Sequence, residues 1–274
     1  MSKTITNAIA LTLLWMAAIV TVLVLGTLIL YVVVNGIGEL SLRFIFTWPE
    51  GVAAEGGIWP TIVSTMYVTT LAMAIVTPIA VLAAVYLAEY AVQGVLVNAI
   101  RFAADSLASV PSIVMGLFGL ALFVDAANIG FSMLSAALAL SFLMLPIVMR
   151  TTEEAIRAVP KFIRWGSYGL GATKWQVVSR SVLPAAMPRM ITGIILATGR
   201  AVGETAVVIY TMGQAINLPI SPLDSGRPMT VHLYLLAMEG INLPAAYGTA
   251  LLLMLLILGF NLGARYLLRR NRKV

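Results

Sequence analysis

Arg200 and Glu204 stand four residues apart in the stretch from Met190 to Gly213, which holds no other charged residue. A charge in the middle of a spanning helix costs at least ~2.5–3.5 kcal/mol on the most lenient insertion scale, so something must compensate it. On a helix, the i, i+4 spacing puts both side chains on one face, where they can partner each other or a passing ion. That face must meet protein or a pathway and not lipid. Other chemistry is scarce. The chain has no cysteine, which removes thiolate catalysis, disulfides and cysteine-based metal sites. The single histidine, His232, does not make a metal centre by itself and reads as a core residue or a wetted loop position. No Gly-Lys-Ser/Thr string is present to hold nucleotide phosphates; Gly169-Leu170-Gly171-Ala172-Thr173-Lys174 is a loose lookalike without that order.

The elements that must position the pair are membrane helices. Hydrophobic residues make up 61% of the chain and charged ones 10%, against roughly 25% charged in soluble domains. Six stretches approach the ~20-residue apolar length that crosses a bilayer: about 8–34, 60–87, 107–123, 131–148, the stretch carrying the pair, and 243–266. The first is too long for a signal-peptide core and lacks a convincing cleavage site, so it reads as a retained anchor.

Basic residues set the orientation. Between the fourth and fifth spans lie Arg150, Arg157, Lys161, Arg164, Lys174, Arg180 and Arg189, and the tail adds Arg265, Arg269, Arg270, Arg272 and Lys273. The loop after the first span has Arg43 against Glu39, Glu50 and Glu55, and the loop after the fifth has Arg227 against Asp224 and Glu239. The positive-inside rule puts both termini and the 150–189 loop in the cytoplasm, which an even number of spans satisfies. The net charge of +6 is therefore a topology signal, and no nucleic-acid partner is expected.

Prolines 78, 111 and 146 fall inside predicted spans, each freeing a carbonyl that neighbours or water must satisfy. Ser109 and Ser112 flank Pro111, and their hydroxyls either line a route or bond back to a packing kink. Gly199 and Gly203 have the spacing of a close helix approach. In the 150–189 loop, 161–170 and 172–182 are both plausible short helices with Gly171 as the turn between them. Phe162, Ile163, Trp165, Tyr168 and Leu170 give that loop an apolar side that reads as a docking face, or as an interfacial helix on lipid headgroups.

Gly171 followed by Leu183-Pro184 before the next-to-last span resembles the EAA loop of type I ABC-importer permeases, the MetI-like family. More narrowly, Gly56-Gly57-Ile58, Tyr86-Leu87-Ala88-Glu89-Tyr90, Val110-Pro111-Ser112-Ile113-Val114, Arg150-Thr151-Thr152-Glu153-Glu154 and Gly199-Arg200-Ala201-Val202-Gly203-Glu204-Thr205 resemble the PstA-type subunit of phosphate importers. The likeness runs from about Gly56 to Arg265. Four positions depart from the EAA pattern. Trp165 stands at the acidic start, Gly166 and Ser167 replace the alanines, and Ser181 replaces an isoleucine two residues before Leu-Pro. In addition, Val207 stands where many PstA-type chains have proline.

The resemblance implies an all-α polytopic membrane protein with six transmembrane helices. It divides the chain into an N-terminal helix with its outer loop (1–60), a type I core with the 150–189 coupling loop (61–265) and a basic cytoplasmic tail (266–274). It further implies a permease of the prokaryotic cytoplasmic membrane that is not an enzyme. Its partners would be a PstC-type permease in a heterodimer, two ATPase subunits using ATP and magnesium, and an extracytoplasmic phosphate-binding protein, with lipid around the helices. Arg200 would offer its donor fork to phosphate, with Glu204, Thr205, Ser109 and Ser112 along the pathway. Arg164, Trp165, Gly171, Leu183 and Pro184 would take the ATPase stroke that rocks the helices between two access states. A sulfate or molybdate permease would look alike at a single arginine. From another class, an ion-coupled secondary transporter would use the pair for protons, but it leaves the docking loop unexplained.

Overall fold

A computed structural model describes residues 3–50 and 55–270. Arg272 and Lys273 of the basic tail lie outside the described residues, as do the side chains of Glu55, Arg265, Arg269 and Arg270. The chain runs α1 (Lys3–Gly36), α2 (Leu42–Phe46), a two-residue β-ribbon of β1 (Pro49–Glu50) and β2 (Glu55–Gly56), then α3 (Trp59–Val85) and α4 (Val95–Ser109). It continues through α5 (Ser112–Gly119), α6 (Met133–Arg157), α7 (Lys161–Gly169), α8 (Lys174–Val177) and α9 (Leu183–Val202). Last come α10 (Ala206–Thr211), α11 (Met229–Met238) and α12 (Leu243–Arg270). Wider π-helical turns extend α3 over Tyr86–Tyr90 and α5 over Leu120–Ala126, and join α8 to α9 over Val178–Val182.

Among the described residues, five helices are long and apolar enough to cross a membrane, and a bent pair, Val95–Ser109 with Ser112–Ala126, counts as a sixth when the two are taken as one broken span. The bend of 100° corrects the predicted span 107–123. Pro111 has no N–H to continue the helix and excludes Val110 from helical geometry, so Val110 sits at φ −66°, ψ 129° and the crossing segment starts at Ser112. Helix α4 ahead of it is amphipathic. Leu96 and Phe102 are exposed on it, while Arg101 donates from Nε to Glu153 Oε1 of α6 at 3.0 Å. Pro78 and Pro146, by contrast, stay inside unbroken helices. The 150–189 region is mostly helix and not loop, because α6 runs on to Arg157, α7 covers Lys161–Gly169 and helical backbone resumes again at Lys174.

The core lies between α3 and α6. Ala72, Ala80 and Ala84 on one and Ala136, Ala137 and Ala139 on the other are completely buried, and their small side chains let the two backbones approach closely. Ser141 Oγ crosses the seam to the Ala72 carbonyl at 3.1 Å. A second cluster joins Phe44, Met229, Leu236, Ala245 and Ala246, and a third joins Ala155, Ile156, Val177, Val178 and Ala186 beside α7. His232 on α11 is completely buried, as a core residue. Helix α1 stands apart, its apolar side chains exposed from Leu11 to Leu30, and meets α12 where Tyr31 packs edge-on to Tyr247.

Candidate functional site

A continuous helix through Met190–Gly213 was the sequence expectation; the backbone breaks at Gly203, Glu204 and Thr205 instead. The α9 end tightens, with Gly203 N bonding Arg200 O at 3.1 Å and Glu204 N bonding Ala201 O at 3.2 Å. Helix α10 then starts afresh, Ile209 N reaching Thr205 O at 3.0 Å. The ion pair persists across the break, Arg200 Nε standing 3.7 Å from Glu204 Oε1. Its two halves differ in setting. The Arg200 side chain is 54% exposed on this chain and Glu204 only 12%.

Irregular backbone at membrane depth is tolerated where it is covered by protein or lines a cavity. Here it does the latter. Thr205 lines a cavity of about 680 Å³ together with Ile113, Tyr210, Gln214, Thr230 and Tyr234. Thr230 Oγ1 donates to the Glu204 carbonyl at 3.0 Å, satisfying a group that the break set free. Helix α5 reaches this wall through Gly116, where a Cβ would meet Ala206 O at 2.6 Å. Ser109 and Ser112 are absent from the lining. Ser109 Oγ bonds back to Ser106 O at 2.7 Å, and Ser112, half-buried, precedes the lining residue Ile113. Of the two glycines at close-approach spacing, Gly199 faces Asn261 of α12, whereas Gly203 only caps α9. Sequence reasoning missed Tyr210, Gln214, Thr230 and Tyr234. Thr230 and Tyr234, one turn apart in the apolar α11, were the available signal.

The second site is α7 and its surroundings. Gly171 takes φ +82° and makes the expected turn between α7 and α8. One face of α7 is bolted down. Arg164 donates from Nε to Glu89 Oε1 at 3.1 Å and from Nη2 and Nη1 to the Ile156 and Val159 carbonyls at 2.9 and 2.7 Å. One turn on, Ser167 Oγ lies 2.9 Å from Ser181 Oγ. Both partners, Glu89 and Ser181, come from π-helical turns, whose extra residue re-aims side chains toward α7. The other face of α7 and the start of α8 are bare: Phe162 and Trp165 of α7 and Trp175 of α8 are each about two-thirds exposed, and Leu170 between the helices is 90% exposed. Leu183 and Pro184 open α9 just beyond, with Leu183 packed on the cluster beneath α7.

Residues 77–273 match the family model described as the inner membrane component of binding-protein-dependent transport systems. The chain belongs to that family. This permease is 34% identical to the phosphate transport system permease protein PstA 1 of Mycobacterium tuberculosis (strain H37Rv), over 99% of its own length and 91% of that protein's. It is 36% identical to the probable ABC transporter permease protein YqgI of Bacillus subtilis, over 97% and 96% of the two chains. The permease fold is shared at 15% identity with a chain of a bacterial alginate ABC transporter solved with its pentasaccharide-bound periplasmic protein, at a TM-score of 0.75 over 99% of this chain and 98% of that one. A chain of the inward-facing MetNI methionine transporter aligns at a TM-score of 0.61, 19% identity, over 78% of this chain and 93% of that one. The family match begins inside α3 and takes in α4 to α12, and α1 lies ahead of the matched residues.

Proposed function

We propose that this permease forms half of the translocation pathway of an ATP-driven phosphate importer and works by alternating access. The observation that carries the reading is the Arg200–Glu204 pair at a helix break whose next residue, Thr205, lines the cavity. The relatives named as phosphate transport permeases support the substrate. Arg200 presents a planar fork of donors that matches a tetrahedral oxyanion, and its exposure on a membrane-embedded face requires a protein or water neighbour there. A second, PstC-type permease supplies that neighbour. Glu204 holds Arg200 while the site is empty and repels a bound dianion, which keeps the anion from lodging.

The basic α6–α9 end is cytoplasmic, as are both termini, following the distribution of lysine and arginine. Two ATPase subunits, which use ATP and magnesium, dock on the bare aromatic face of α7 and α8. An extracytoplasmic phosphate-binding protein delivers substrate at the opposite end. Sulfate and molybdate are the alternatives that the Arg200 chemistry leaves open. Uptake of radiolabelled phosphate by the reconstituted complex decides: competition by excess phosphate but not by sulfate or molybdate supports the reading, and transport of sulfate in its place refutes it.

A further inference from the structure

Arg227 lies in the segment joining α10 to α11, and everything about it is fixed except the end of its side chain. Asp224 Oδ2 accepts the Ile220 and Ser221 N–H groups at 2.8 and 2.7 Å, closing a tight turn. The carbonyls of Pro222 and Asp224 accept Leu134 N and Met133 N at 2.8 and 2.9 Å, so the turn caps the first turn of α6. Ser225 Oγ donates to Met212 O at 2.9 Å, and Pro228 starts α11 directly after Arg227. The backbone carrying Arg227 is thereby held on both sides.

The guanidinium is half-committed. Nε donates to Gln214 O at 3.0 Å, and Gln214 lines the same 680 Å³ cavity as Thr205 and Thr230. Among the described residues, Nη1 and Nη2 have no protein partner and no carboxylate lies within ion-pair distance of Arg227. Glu239 acts on it only from farther away, and partial burial disfavours its charge. A partly buried cation with two donors left over therefore stands beside a residue of the cavity wall.

We infer that Arg227 is an oxyanion-binding residue at the mouth of this cavity, engaging the substrate before it reaches Arg200. The inference rests on the phosphate-importer reading. Neither arginine is itself in the lining, but both are tied to it. Arg227 holds the Gln214 carbonyl, Gln214, Thr230 and Thr205 all line the cavity, and Thr230 holds the carbonyl of Glu204, the partner of Arg200. Two donor sites in series let an anion pass from one to the other without being stripped of partners between them. The Nε bond to a backbone carbonyl orients the guanidinium plane, leaving the Nη1–Nη2 edge for the bidentate grip that suits a tetrahedral anion.

The test uses the complete reconstituted importer in proteoliposomes with saturating phosphate-loaded binding protein. Wild-type uptake of phosphate is measured first, since its failure refutes the importer reading independently of Arg227. Given wild-type uptake, Arg227→Gln is expected to lower the maximal phosphate uptake rate about tenfold while leaving ATPase stimulation by the binding protein and the binding protein's half-saturating concentration unchanged. Arg227→Lys, which keeps charge and bulk and serves if the glutamine variant does not assemble, is expected to lose about threefold, because a point charge replaces the fork. Uptake at the wild-type rate in either variant overturns the inference. A weaker half-saturating concentration of binding protein with unchanged maximal uptake also overturns it, and makes Arg227 a docking contact instead.

Discussion

Arg164 and Glu89 join a short surface helix to the end of a spanning one. The guanidinium donates from Nε to Oε1 at 3.1 Å, with side chains only 18% and 10% exposed. Arg164 also occupies the Ile156 and Val159 carbonyls at the end of α6, so one side chain ties α7 to α3 and α6, the two helices of the core seam. Breaking a mostly buried ion pair from one side costs ~3–5 kcal/mol, because the other charge is left unpartnered. Glu89→Gln and Arg164→Met should each destabilise the assembled complex by about 3 kcal/mol in thermal unfolding. Binding-protein-stimulated ATP hydrolysis should fall roughly tenfold, within the usual range of coupling energies. Unchanged stimulation in either variant removes Arg164 from the coupling route.

Ser167 and Ser181 are two of the positions where the sequence departs from the EAA pattern, and they bond to each other at 2.9 Å. A polar residue replacing an apolar one under a packed helix is tolerated when its hydroxyl has a partner. The departures therefore compensate as a pair. A double-mutant cycle with Ser167→Ala and Ser181→Ile should give a coupling of ~0.5–1.5 kcal/mol in unfolding experiments, with the double variant close to wild type. Additive losses contradict the pairing.

Asp224 makes the turn ahead of α11 sensitive to acid. The N–H groups of Ser221 and Ile220 stabilise its carboxylate and hold its pKa below the usual range. Because the folded value is the lower one, this contribution is present above the unfolded-state pKa and lost as the pH falls through the folded one. Protease cleavage within 213–228 should rise as the pH drops below the ordinary carboxylate range, and Asp224→Asn should show the raised cleavage already at pH 7. Equal protection of the variant and the parent across that range refutes the role.

The helical membrane architecture was legible because uncharged runs of about bilayer length report depth directly. Gly171 was legible as a turn because a helix–helix corner needs a positive φ, here +82°. The break at Gly203–Thr205 was not, since an i, i+4 charge pair looks the same on a continuous helix as across an interruption bridged at 3.7 Å. Nor was the 100° bend at Pro111 distinguishable from the tolerated prolines 78 and 146. The difference lies in the helix ahead of Pro111: α4 carries Arg101 and Asp105 and is amphipathic, so it does not prolong an apolar crossing. Glu89 escaped notice as Arg164's partner because the two are 75 residues apart, and only the π-helical turn at Tyr86–Tyr90 brings the carboxylate round to α7.

The Arg200 guanidinium is, on the importer reading, a substrate contact and not only a strut for α9. Removing an arginine that meets a phosphate in the pathway forfeits a charge-assisted, two-point contact. The most direct measurement is phosphate uptake by a reconstituted complex carrying Arg200→Gln, with assembly and ATPase docking verified in the same preparation. Loss of phosphate uptake in an intact complex is the predicted result; near-normal uptake contradicts it.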